Sequence, residues 1–263
     1  MTRVVVVTGA AGAMGEACAQ LFDQVVRTDL HEGDVVGDLT DPSVISHLVD
    51  EVRARGEFGA LVHTAGLSPT MAGWREIMRV DLVATAQLLD AFLPLVVPGS
   101  AAVCIASVSG HMGGADPKLD AVLRDPLARG FLDVYRALTP DEPDPGWTYA
   151  CAKRGVMQLC ARAAVPWGAR GGRVVSLSPG LIDTGMGRQE LAEQEIIPWM
   201  VGMTPLSSTR VDADTPLPGR IDDIARTVAF LCSDDAAFIS GCDILVDGGL
   251  LAAMNNLGEN DGT

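Results

Sequence analysis

Val4-Val5-Val6-Val7-Thr8-Gly9-Ala10-Ala11-Gly12-Ala13-Met14-Gly15 decides the fold. Four valines in a row read as a buried strand, and the run stops abruptly at Thr8-Gly9. Helical patterning follows, near Ala13–Phe22. A glycine-rich turn between a strand and a helix lets the backbone bend tightly and approach a pyrophosphate, whose charge suits the helix N-terminus. Gly9, Gly12, Ala13, Met14 and Gly15 are the residues placed to do this. Asp29 lies at the end of the next strand, where an acid accepts hydrogen bonds from the ribose hydroxyls of an adenosine. The same carboxylate repels a 2′-phosphate. No basic residue stands at position 13 or just after Asp29, and Arg27 lies within the strand. The expected cofactor is NAD rather than NADP.

The alternation continues to the end of the chain. Strands are expected at Val4–Val7, Val25–Thr28, Val35–Gly37, Ala60–His63, Ala102–Ala106, Arg173–Leu177 and Asp243–Val246. Helices are expected near Pro42–Ala54, Trp74–Val96, Tyr149–Ala164 and Asp222–Cys232. This pattern predicts an α/β protein, a Rossmann fold with a seven-stranded, mostly parallel sheet and helices on both faces. No linker or repeat divides it, so one domain over residues 1–253 is expected, with a flexible tail at 254–263. Two segments interrupt the rhythm: an Asp- and Pro-rich insertion over 110–147, with a helix around Pro117–Leu138, and a substrate-loop region over 183–219. Long loops in a compact domain are often functional.

No apolar run reaches the length of a membrane span, and the N-terminal run is too short for a signal sequence. The net charge of −15, spread along the chain, disfavours nucleic acid and anionic membranes as partners. Six cysteines without C-x-x-C spacing read as reduced thiols of a cytoplasmic protein. The histidines show no metal-ligand spacing, so no metal is expected.

The chain has two tyrosines and two lysines, and one of each forms Tyr149-Ala-Cys-Ala-Lys153. Residues four apart on a helix lie on the same face, so the phenol and the ammonium share one site. A free phenol is a poor base at neutral pH, and a neighbouring cation favours its phenolate. Such a pair suits acid–base catalysis on alcohols and carbonyls.

The ordered set of motifs resembles the short-chain dehydrogenase/reductase family over nearly the whole chain. Gly37-Asp38-Leu39 is similar to the family's adenine-contacting segment, and Ile105-Ala106-Ser107-Val108-Ser109-Gly110 to the segment bearing its catalytic serine. Ser178-Pro179-Gly180-Leu181-Ile182-Asp183-Thr184 is similar to its nicotinamide- and phosphate-contacting loop. His63-Thr64-Ala65-Gly66 stands where members often carry Asn-Asn-Ala-Gly, and Gly241 to Gly249 matches a closing hallmark. The wide gap between Ser107 and Tyr149 resembles bacterial 3-alpha-hydroxysteroid dehydrogenase/carbonyl reductases in particular. The resemblance implies catalytic Ser107, Tyr149, Lys153 and Asp81. It implies NAD held by Gly9, Gly12, Ala13, Met14, Gly15, Asp29, Asp38, Leu39, Ala65, Gly66, Tyr149, Lys153, Pro179, Gly180, Ile182 and Thr184. It also implies a small-molecule substrate and a homodimer or homotetramer. Two departures stand out. Ala13 replaces the usual middle glycine, and Asp81 replaces the catalytic asparagine, whose backbone carbonyl is thought to hold a relay water. The absent asparagines at 63 and 64 concern strand-to-strand hydrogen bonding.

Four alternatives stay open at this level. Met186, Leu191, Ile196, Ile197, Trp199, Met200 and Met203 read either as an apolar lid or as core. His111 reads as a pocket wall or a second base, and Ser107 as a catalytic hydroxyl or a local cap. The function reads as a secondary-alcohol dehydrogenase or as a non-catalytic NAD-binding sensor of the same fold.

Overall fold

The computed structural model describes residues 3–112, 116–139 and 141–260. Seven strands form one sheet: β1 (Arg3–Thr8), β2 (Val25–Asp29), β3 (Val35–Val36), β4 (Glu57–His63), β5 (Ala101–Ile105), β6 (Arg173–Pro179) and β7 (Asp243–Val246). Their order is β3-β2-β1-β4-β5-β6-β7, and every neighbouring pair is parallel. The chain first winds outward from β1 to β3, then crosses back to lay β4 on the other side of β1. The carboxyl ends of β1 and β4 therefore flank the point where the winding reverses, the position at which such sheets bind ligands.

Alternate valines of β1 explain its burial. Val4 and Val6 enter the larger core, and Val5 and Val7 enter a second core on the opposite face. The first face is covered by α2 (Pro42–Arg55), by the run from α3 (Trp74–Ile77) to α4 (Ala84–Phe92), and by α8 (Pro145–Gly168). The second is covered by α1 (Ala13–Ala19) and α11 (Ile221–Cys232). Between α3 and α4 the backbone makes a π-helical segment, Met78–Val83, rather than one continuous helix, and Pro94 brings the run to its end.

The insertion carries α5 (Ser109–Met112), α6 (Pro117–Leu123) and α7 (Phe131–Ala137). The single helix expected around 117–138 is two, because Pro126 follows Asp125 and Gly130 takes a left-handed conformation, φ 76°. Asp120 fastens the insertion to α8, accepting from Arg154 at 2.6 and 2.7 Å and from Gln158 at 2.8 Å. The 183–219 region folds into α9 (Gly185–Glu193), α10 (Ile196–Met203) and a short 3₁₀ turn, Pro205–Thr209.

The tail read as flexible starts inside α12 (Leu250–Asn260). Asp247 nucleates that helix by accepting from the N–H groups of Gly249 and Leu251 at 2.8 and 2.7 Å. Positions 261–263 lie outside the described residues. None of the six cysteines is bonded to another. No helix among the described residues is long and apolar enough to cross a membrane.

Two glycines fix the first turn. Gly9 has φ 65°, and a Cβ at Gly15 would fall 2.1 Å from the Gly9 carbonyl oxygen. Backbone cannot yield as a side chain can. Gly15→Ala is therefore expected to lower unfolding free energy by about 1–3 kcal/mol despite the roughly 1 kcal/mol that alanine offers a helix. Chemical denaturation checks this; an unchanged or raised midpoint would contradict the close approach.

Candidate active site

Each functional side chain reaches the site because a strand or helix ends beside it. Thr8 closes β1, and the turn to α1 leaves Gly9, Gly12, Ala13, Met14 and Gly15 along one wall of a cavity of about 1210 Å³. Asp29 closes β2. Its carboxylate accepts from the Ala11 N–H at 3.1 Å and the Leu30 N–H at 2.7 Å, so the acid is held at the rim. Asp38 and Leu39 follow β3, Ala65 and Gly66 follow β4, and Ser107 follows β5. Pro179 ends β6, Gly180, Ile182 and Thr184 follow it, and all four line the same space. Thr184 also caps α9, accepting from the Gly187 N–H at 3.0 Å. Every expected site residue lines this cavity except Asp81, which sits directly behind it.

The residues fit a dinucleotide. The wall nearest α1 has no side chain at three positions, and a carboxylate waits at the adenosine end. The cavity continues from there past Gly66 to Tyr149.

Helix α8 starts at Pro145 because Asp144 caps it, accepting from the Trp147 N–H at 2.8 Å. Tyr149 thus falls in the second turn, with Lys153 one turn on. Ser107 stands beside the Tyr149 hydroxyl, and both side chains line the cavity. Ser107 accepts from the Ser109 N–H at 3.2 Å, which is the local cap weighed for it, while facing the cavity. Lys153 is buried, with its Nζ 5.4 Å from the Tyr149 ring centre. It donates to the Ile105 carbonyl at 3.2 Å and lies 3.1 Å from Asp81 Oδ2.

Asp81, 1% exposed, belongs to the π-helical segment. Its Oδ1 accepts from the Leu67 N–H at 2.8 Å, and its backbone carbonyl accepts from the Thr85 hydroxyl at 2.7 Å. The side chain at this position therefore meets the lysine directly, while the carbonyl assigned to a relay water is engaged by Thr85.

These contacts set the protonation tendencies. Burial pushes the Tyr149 phenol above its ordinary value; the Lys153 charge opposes this and the Asp81 charge adds to it. Burial works against the Lys153 ammonium, yet Asp81 and Tyr149 hold it above the usual lysine range. Burial raises the Asp81 carboxyl against the pull of Lys153. In the structure as it stands, Lys153 alone does not bring Tyr149 below a free phenol.

His63 and Thr64 replace the expected asparagines as sheet connectors. Thr64 Oγ1 donates to the Thr8 carbonyl at 2.7 Å. His63 Nδ1 lies 2.7 Å from Thr8 Oγ1 and Nε2 lies 2.9 Å from Thr85 Oγ1. Thr85 spends its proton on the Asp81 carbonyl, so Nε2 must be the donor and Nδ1 the acceptor. Burial, with the Lys153 charge, holds this imidazole neutral, its pKa lowered to about 3.

His111 is neither pocket wall nor second base. It does not line the cavity, and its Nε2 is 2.8 Å from Asp243 Oδ2, which ties α5 to β7. Asp243 Oδ1 also accepts from Ser176 at 2.6 Å. The apolar segment after Thr184 divides. Met186, Ile196, Ile197 and Met200 line the cavity. Leu191 and Met203 pack into a small core with Val108 and Leu250, and Trp199 is exposed. Leu67, Val80, Trp147, Glu190 and Gln194 line the cavity without having been expected there. Trp147 carried a signal, since it lies two residues before Tyr149; Glu190 and Gln194 did so only once α9 was known.

Comparison with known proteins agrees with this geometry. A family model described as Enoyl-(Acyl carrier protein) reductase matches residues 3–123 and 141–251. An uncharacterized short-chain type dehydrogenase/reductase of Sinorhizobium fredii is 30% identical over 95% of this chain, which spans only 44% of that longer protein. The 3-alpha-hydroxysteroid dehydrogenase/carbonyl reductase of Comamonas testosteroni is 27% identical over 95% of this chain and 97% of its own. The 3-alpha-hydroxysteroid dehydrogenase of Pseudomonas sp. B-0831, solved with NADH, superposes with a TM-score of 0.77 at 25% identity, covering 96% of this chain and 98% of that one. Fold, turn and matched length agree: this chain belongs to the short-chain dehydrogenase/reductase family, oxidoreductases that act on CH–OH groups with a nicotinamide cofactor.

Proposed function

We propose that the chain is an NAD-dependent dehydrogenase that interconverts a secondary alcohol and a ketone on a compact apolar skeleton, a hydroxysteroid being one example. The observation that carries this is the convergence of Ser107 and Tyr149 on one cavity, with the buried Lys153 one helical turn from the tyrosine. When bound, the nicotinamide accepts hydride from the alcohol carbon or returns it to the ketone. The chain's own residues handle the oxygen and its proton. Ser107 hydrogen-bonds the substrate oxygen and orients it. Tyr149 takes the hydroxyl proton in oxidation and gives it back in reduction. Lys153 favours the phenolate electrostatically, against burial and Asp81.

Support for NAD comes from Asp29, fixed by two backbone N–H groups at the adenosine end with no Lys or Arg beside it on the cavity wall. Support for an apolar substrate comes from Met112, Met186, Ile197 and Met200 around the mouth. Two copies or four would follow the family's habit, and a cytoplasmic setting would suit the free thiols.

Three outcomes are expected. Tyr149→Phe lowers kcat for NAD-linked oxidation of hydroxysteroids or alicyclic alcohols by about 10²–10⁴-fold, read as NADH absorbance; activity that survives sinks the assignment of Tyr149, and no turnover by the parent protein on such a panel sinks the enzyme reading. Asp29→Ser removes the charge that repels a 2′-phosphate, so the ratio of kcat/KM with NAD to that with NADP falls by about tenfold or more; an unmoved ratio places cofactor choice elsewhere. Asp81→Asn removes a charge that raises the Tyr149 pKa. Oxidation needs the phenolate, so the acidic limb of its pH profile moves to lower pH; a limb that stays put or rises shows that Asp81 does not act on Tyr149 through charge.

A further inference from the structure

The proposed reaction leaves two polar side chains of the cavity without a task. Helix α9 turns Met186 and Glu190 toward the cavity and ends at Gln194, which also lines it; the four-residue spacing places all three along one side. Another side of α9 is fastened. Arg188 clamps the Asp183 carboxylate at 2.6 and 2.9 Å and donates to the Asp214 carbonyl at 2.9 Å. Among the described residues, the Glu190 carboxylate has no hydrogen bond or ion pair. Burial raises its pKa above the ordinary glutamate range, and its charge is felt at the Tyr149 phenol. Its oxygens are therefore free to accept a hydrogen bond from whatever enters the cavity.

The charges lining the cavity are one-sided. Among the described residues, Lys153 is its only Lys or Arg, and that ammonium is engaged by Asp81. Glu76 and Asp144 join Glu190 on the wall. A substrate carboxylate entering here would find like charge and no free cation. Leu67, Val80, Met112 and Ile197 meanwhile offer an apolar bed.

We propose that Glu190, with Gln194 beside it, is the specificity-determining group of this site. It accepts a hydrogen bond from an ammonium or hydroxyl that the substrate carries on its apolar skeleton away from the reacting carbon, and it excludes a carboxylate from that place. This rests on the reading of the cavity as a secondary-alcohol dehydrogenase site.

The test uses four probes with NAD at about pH 8, where a carboxyl is ionised and an alkylamine is protonated: 4-aminocyclohexanol, cyclohexane-1,4-diol, 4-methylcyclohexanol and 4-hydroxycyclohexanecarboxylate. The parent protein is expected to give kcat/KM values highest for the amine or the diol, with the carboxylate lower than the leader by about tenfold or more. Whichever of the two leads identifies the natural donor. Glu190→Gln should shrink the ratio of that leader to the methyl compound, and Glu190→Lys should raise the carboxylate above the amine. A parent protein that oxidises the carboxylate as well as the amine and the diol overturns the proposal, as do ratios that are the same in all three proteins. If no probe is oxidised while a hydroxysteroid is, the proposal alone is overturned; if neither is oxidised, the dehydrogenase reading itself fails and takes the proposal with it.

Discussion

The buried ion pair between Asp81 and Lys153 is the contact on which the rest of the site depends. Each charge alone would be expensive in this interior, and losing one partner of a buried pair typically costs about 3–5 kcal/mol. Four parts of the fold meet there. Lys153 comes from α8 and Asp81 from the π-helical segment, while the Ile105 carbonyl ends β5 and the Leu67 N–H belongs to the loop after β4. Gly66 completes the close packing, since a Cβ there would fall 3.1 Å from Lys153 Nζ. The pair also connects outward. Asp81 leads through Thr85 and His63 to Thr8, so a line of buried hydrogen bonds runs from the lysine to the first strand beside the glycine turn. Both ends of the cavity are thus braced by one polar network.

This arrangement changes the balance of charge around the phenol. A lysine with an amide neighbour presents its full charge to a nearby tyrosine. Here a carboxylate at 3.1 Å shares that charge, and the same carboxylate acts directly on Tyr149 in the opposite sense. Burial adds to it. The phenolate is therefore least favoured when the cavity lacks a further positive charge. Coupling of base strength to occupancy follows from position alone, since any cation that enters beside Tyr149 tilts the balance that Asp81 offsets.

Much of this was legible in the residues because the relevant constraints are local. A strand, a glycine turn and a helix start within twelve residues, and the acid ending the second strand lies at a fixed distance beyond; both fell where the sequence places them. Tyr149 and Lys153 share a helical face whatever surrounds them. The rest depends on tertiary contacts that carry no such period. The π-helical segment is not marked by any glycine or proline within Met78–Val83, so the helix through Asp81 read as regular. His111 has its partner 132 positions away on β7, and sequence spacing cannot show that. The start of α12 was legible in principle, as an aspartate before an apolar run, but Gly241 to Gly249 reads as a closing hallmark with a flexible tail beyond it. The lid residues failed to separate from core because Ile197 and Met200 are both: buried, and facing the cavity.

The insertion is more than a surface excursion, for a physical reason. Tyr149 stands in the second turn of α8, close to a helix end, where fraying is greatest and the backbone N–H groups lack internal partners. The insertion supplies what that end lacks. Asp144 caps it, Tyr135 of α7 bonds the Thr148 hydroxyl at 3.0 Å, and Glu142 accepts from the Trp74 indole. Asp120 of α6 holds Arg154, the residue after Lys153, through two hydrogen bonds. The Tyr135 and Trp74 rings pack tilted at 40° with centres 5.8 Å apart, joining α7 to α3, which leads into the π-helical segment that carries Asp81. The same segment that anchors the first turns of α8 thus also sets where Asp81 sits relative to them. A shift of the insertion would move the phenol and its opposing charges together, so the place of Trp147 on the cavity wall and the protonation balance at Tyr149 are mechanically linked.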